Sequence, residues 1–162
     1  DRDYQNNQWG EFFWFYFRLA EVYLNYAEAC NEKPARQADE SLKYINMIRA
    51  RAGLNKLEEA YPEINFLSDK DALREMIRKE RMIELAFEGH RYYDCRRWMI
   101  AEKEMNYLPP TLNLAATTYE ASWQRTNNLW NRSMVFEPKH YLLPINQEQL
   151  NEMVNITQNY GW

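Results

Sequence analysis

The sequence predicts a mainly α-helical fold whose last third gives way to loops and a few short strands. Three observations predict it. Apolar residues recur every three or four positions in three segments before residue 90, the spacing that gathers side chains on one helix face. Pro109-Pro110 then closes the helical part, because proline lacks an amide hydrogen and clashes with the preceding turn. Beyond it, over 111–136, threonines, asparagines, Trp123 and Trp130 alternate with small residues, as expected of a loop with some strand or short-helix character.

Each element has its own signal. Phe12 to Phe17 is an unbroken apolar and aromatic run, expected as an extended lead-in. From Arg18 to Asn31, Leu19, Val22, Tyr23, Tyr26, Ala27 and Cys30 share a helix face, and Pro34 marks the stop. Ala38, Leu42, Ile45, Ile48 and Ala52 define a second helix, with Gly53 suited to a left-handed cap. Residues 18–53 thus form a helix pair of tetratricopeptide-like length, and one such pair needs cover from elsewhere. A connection over 54–67 contains Pro62. Ser68 with Asp71 is a capping box that starts a third helix, expected to run to Glu88, where Gly89 breaks it. A fourth begins near His90 and fades after Met105, so the motif helices occupy about 68–105. The loop-rich region, about 106–162, carries an extended piece at Tyr141–Ile145 and a helical turn or two over Gln147–Met153.

The third helix carries acids on its apolar side. Leu73, Met76, Ile77, Ile83 and Phe87 form one stripe, with Glu80 near its middle and Glu84 beside it. A carboxylate there is costly unless a cation and hydrogen-bond donors meet it. Arg81, Arg91, Arg96 and Arg97 are the candidate cations. Glu84 and Glu88 also invite a glycosidase reading. Acids one turn apart leave no room for a sugar ring between them, and nearby arginines would hold their pKa too low for a general acid. No catalytic residue is assigned.

Composition excludes other classes. A net charge of −4, with both signs interleaved, argues against nucleic acid. Cys30 and Cys95 occupy apolar helical positions and read as buried free thiols, with a disulfide between them open. The two cysteines and two histidines lack zinc-ligand spacing, and no metal or cofactor is expected. No apolar run is long enough to span a membrane. Twelve tyrosines and six tryptophans call for a large core, a partner surface or a ligand with flat apolar faces.

Four blocks together resemble the C-terminal part of the SusD/RagB family of outer-membrane nutrient-binding lipoproteins. They are Arg18–Glu32 (RLAEVYLNYAEACNE), Ile45–Leu54 (INMIRARAGL), Glu80–Trp98 (ERMIELAFEGHRYYDCRRW), and YLLPI at Tyr141–Ile145 with QNYGW at Gln158–Trp162. Cys30 and Cys95 stand where leucine is usual, Tyr160 where proline is, and Trp162 where tyrosine is. The resemblance implies a SusD-like helical fold over 1–162 and a binding role without catalysis. It implies a surface-exposed place on the cell outer membrane, anchored by an N-terminal lipid absent from this chain. The implied partners are a SusC-like TonB-dependent transporter, an oligosaccharide or, in some members, a peptide, and a missing N-terminal part of the same protein. Glu80, Arg81, Glu84, Glu88, Arg91, Asp94 and Arg97 match scaffold positions and are expected as a structural ion-pair lattice.

The expected ligand site is Tyr119, Trp123, Arg125 and Trp130. Aromatic faces stack on sugar rings, and guanidinium or amide groups such as those of Asn127 and Asn128 bond the hydroxyls. Alternatively the tryptophans anchor the loop to the helices. Three functions follow: a glycan-capture component, a protein-interaction scaffold, or a hydrolase using Glu84 and Glu88. Exposed aromatics lining a concavity in 111–136 would favour the first, buried ones there the second, and an open cleft at the acids the third.

Overall fold

The computed structural model describes residues 2–3, 8–9, 16–107, 111–113, 115–123, 125–126, 134–153 and 155–162. Residues 1–88 and 89–162 form two compact units.

The first unit opens with β1 (Arg2–Asp3) and β2 (Gln8–Trp9), a two-residue antiparallel pair. Residues 12–15 of the expected lead-in lie outside the described residues. α1 spans Leu19–Glu32 and stops at Lys33, whose extended backbone is what a following proline requires. α2 spans Ala38–Arg51. The two helices run antiparallel as a tetratricopeptide-like pair: Gln37 N–H donates to Cys30 O, the Ser41 hydroxyl to Ala27 O, and Tyr44 packs on Tyr23. Gly53 has φ +72°, and the amides of Gly53 and Leu54 return to the carbonyls of Ala50 and Arg49. That is a Schellman closure, which satisfies two carbonyls the helix leaves over.

The cover that this pair needs comes from α4, Lys70–Glu84. Leu73 and Ile77 complete a buried cluster with Ala27, Leu42, Ile45, Leu57 and Phe66. Each large apolar side chain removed from water there contributes about 1.5–3 kcal/mol. Leu57 belongs to a one-turn helix, α3 (Leu57–Ala60), within the connection. Two expectations for α4 fail. Its N-cap is Asp69, which accepts from Ala72 N–H at 2.9 Å, while the Ser68 hydroxyl turns back to Asn65 O. The Asn65–Asp69 turn delays the start by one residue, and Asp71 pairs with Arg74 instead of closing a capping box. The helix also ends at Glu84, not Glu88. Leu85 to Gly89 form a turn in which Phe87 adopts φ +65°.

The second unit begins with Gly89, at φ +80°, as the N-cap of α5 (His90–Arg97). The expected fourth helix is two. Met99 turns left-handed at φ +56° before α6, Ala101–Met105. Cys95, Ala101, Met105 and Phe136 form the core, with Ile100 and Tyr141 packed against it. β3 (Thr111–Leu112) and β4 (Arg125–Thr126) pair antiparallel as the stalk of a hairpin, and α7 (Tyr119–Ser122) lies between them. Tyr141 closes a 3-10 helix over Pro138–Tyr141, so the extended piece starts at Leu142, one residue later than expected. α8 spans Gln147–Glu152.

Side-chain amides organise this loop-rich unit. Asn106 donates to Phe136 O and accepts from Phe136 N–H. Gln158 does the same for Ile145, with both bonds at 2.9 Å. Asn159 donates to Leu143 O, and the Trp162 indole to the carbonyls of Lys139 and Leu142. The tail passes so close that a Cβ on Gly161, already at φ +84°, would lie 2.8 Å from that of Lys139.

Candidate functional site

Thr118 starts α7 by accepting the Ala121 amide, and the Ser122 hydroxyl closes back on Tyr119 O. Asn113 N–H donates to Ser122 O, which ties the short helix to its own stalk. One turn separates Tyr119 from Trp123, so both rings project from the same side. Their centroids lie 5.9 Å apart at 73°, an edge-to-face pair. Tyr119 is 73% exposed and Trp123 59%. Neither ring serves the interior, so the anchoring alternative does not describe Trp123. Arg125 lies in β4 opposite Leu112, and only its main chain is described. Trp130 falls outside the described residues.

The acids of the motif helix meet cations in a different way from that expected. Glu80, at 8% exposure, is bound by the Arg49 guanidinium. Glu84 takes Arg51 at 2.6 Å and also Arg18. Glu88 takes Arg18 through Nε, at 3.0 and 2.9 Å, and through a terminal nitrogen at 2.7 Å. Arg81 reaches the Asn25 side chain at 2.6 Å. In the second unit Arg91 pairs with Glu104 at 2.7 Å, and Arg97 with the buried Asp94 at 3.1 Å. Arg96 donates to Tyr141 O and lies over the Tyr92 ring. Glu84 and Glu88 are thus bridged by one guanidinium, a geometry without the open cleft that a glycosidase needs.

Arg18, Arg49 and Arg51 were missed as partners because they lie on other helices, far off in sequence. One signal was present: Arg49 shares the inward face of α2 with Ile45 and Ile48, and a cation placed there needs an anion. A further ion pair joins α1 to α4. Arg74 holds Glu32 at 2.6 Å, and its hydrogen bonds lower the Glu32 carboxyl from 4.5 to about 2. Lys139, at 3.0 Å, lowers the Glu137 carboxyl in the same way.

Cys30 and Cys95 are buried free thiols. Among the described residues, no group of three or more His, Cys, Asp or Glu could hold a metal, and no helix is long and apolar enough to cross a membrane. The second unit also holds a cavity of about 400 Å3 lined by Tyr92, Met105, Phe136, His140, Leu143 and Trp162. Its walls are largely apolar and offer a hydroxyl-rich ligand few partners.

A helix pair covered by a third helix, acids locked to arginines and two aromatics held in solvent define a mainly helical protein with a tetratricopeptide-like pair. The chain belongs to the SusD family, whose model matches residues 1–162; members of that family are non-catalytic binding proteins. It is 40% identical over 101 residues to SusD-like protein P2 of Formosa agariphila, covering 61% of this chain and 20% of that protein. A solved structure of a SusD-like protein from Bacteroides fragilis superimposes with a TM-score of 0.68 at 33% identity, covering 88% of this chain and 25% of that one. BT4246 superimposes with a TM-score of 0.73 at 30% identity, covering 91% of this chain and 24% of that one. The chain therefore spans about a fifth of the length of the curated relatives it matches.

Proposed function

We propose that this chain is part of the binding component of a cell-surface glycan capture and uptake system. Its ligand is an oligosaccharide, and its partner a SusC-like TonB-dependent outer-membrane transporter. Its place is the outer face of the outer membrane, held by an N-terminal lipid carried on a part of the polypeptide outside this chain. The observation that carries the reading is the Tyr119–Trp123 pair. Two large rings kept in solvent, on a short helix tied to its own stalk, expose faces on which a sugar ring can stack. Family membership supports the binding role.

An apolar face on the first unit supports a further part of the same polypeptide. Leu19, Val22 and Tyr26, expected on one face with Ala27 and Cys30, instead recur along α1 on the side away from its buried residues, and all three are exposed. A stripe of that kind on a helix already packed on its other side suits another helical layer. The same stripe favours a second reading, a protein-interaction scaffold.

An affinity-gel series with different polysaccharides tests the glycan reading. The chain is expected to be retarded by at least one of them. Trp123→Ala and Tyr119→Ala are each expected to weaken that retardation about tenfold, as loss of an aromatic anchor does, with thermal midpoints unchanged. Retardation that survives both substitutions would move the site elsewhere. Absence of retardation by any polysaccharide would favour the scaffold.

A further inference from the structure

We propose that Arg18 is a latch: it ends α4 at Glu84 and holds Phe87 out in solvent, and with the latch released α4 runs on through Glu88. The observations lie in the sequence of the turn and in the atoms that hold it. Leu85, Ala86, Phe87 and Glu88 contain no helix breaker, and leucine and alanine are among the best helix formers. Continued at 100° per residue, α4 would bring Phe87 onto the face that carries Leu73, Ile77 and Glu80. Those three residues are buried, whereas Phe87 is 106% exposed and its backbone sits at φ +65°. A bulky side chain with a left-handed backbone is a strained exception.

What opposes the continued helix is one guanidinium. All three nitrogens of Arg18 are engaged by the end of α4. Nε and one terminal nitrogen hold the Glu88 carboxylate, the other terminal nitrogen holds the Glu84 carboxylate, and the Glu84 carbonyl also accepts from Arg18. In a longer helix that carbonyl would accept the Glu88 amide. Here the Glu88 amide donates to Leu85 O at 3.2 Å. Arg18 is itself fixed, since it is the N-cap of α1 and its own carbonyl accepts from Glu21 and Val22. The latch is therefore anchored in one helix and closes the end of another, and the two arrangements differ in whether Phe87 is displayed.

Solution NMR of this chain tests the latch, with thermal unfolding as a control for folding. In the unmodified protein, Cα shifts and the amide–α coupling of Phe87 report a positive φ. Arg18→Gln is expected to move the Cα shifts of residues 85–88 to helical values, abolish the positive-φ signature and slow exchange of the Glu88 amide. The double variant Glu84→Gln/Glu88→Gln, which keeps Arg18 but removes its carboxylates, is expected to do the same and serves if Arg18→Gln does not fold. A folded variant that melts lower while keeping the left-handed turn would overturn the proposal, because Arg18 would then only cross-link two helices.

Discussion

Arg49 and Glu80 form an ion pair that water barely reaches, their side chains 9% and 11% exposed. Removing one partner leaves the other charge buried, which typically costs about 3–5 kcal/mol. Arg49→Met is expected to destabilise the first unit by that order in denaturant unfolding, and Arg49→Met/Glu80→Leu to recover most of the loss, because neither charge then remains. Glu32 makes a pH-dependent contribution of known sign. Its carboxyl titrates at about 2 when folded and at 4.5 ordinarily, so between those values the unfolded chain holds more protons. The contribution is complete above pH 4.5, fades as pH falls, and is gone below about pH 2. The stability difference between the protein and Glu32→Gln should close across that interval, and a constant difference would remove Glu32 from the account. Which acids sat on an inward face was legible from spacing alone. Which arginine met each was not, because pairing across helices depends on how they dock.

At the level of elements, α4 offers a discriminating pair of substitutions. The structure makes Asp69 the N-cap, so Asp69→Ala should cost about 1 kcal/mol in chemical denaturation. Ser68→Ala should cost little, since that hydroxyl bonds only within the preceding turn. The reverse order would restore the capping box that the sequence suggests. The tetratricopeptide-like pair was legible because its period, its proline stop and its glycine cap agree on the same two helices. The end of α4 was not legible: residues 85–88 read as helix by propensity, and a guanidinium from α1 overrides them. Met99 divides the fourth helix in the same manner, through a left-handed residue that no local signal announces.

The whole molecule combines a densely buried helical unit with one built mostly of turns. The described residues of 111–126 were hard to read because their order comes from hairpin closure and single-turn capping, which leave little periodicity. The exposed stripe on α1 makes a prediction at this scale. The chain should enhance the fluorescence of an apolar dye such as ANS, and Leu19→Glu/Val22→Glu should suppress that signal with the thermal midpoint preserved. An unchanged signal would place the apolar surface elsewhere. The amides of Asn106 and Gln158 carry a last consequence. Each occupies both main-chain groups of one residue, Phe136 or Ile145, as a neighbouring strand would. A foreign segment seeking to add itself in register along 143–145 meets hydrogen-bonding positions already filled from within, which protects this loop-rich half against the templated association to which bare strand edges are prone.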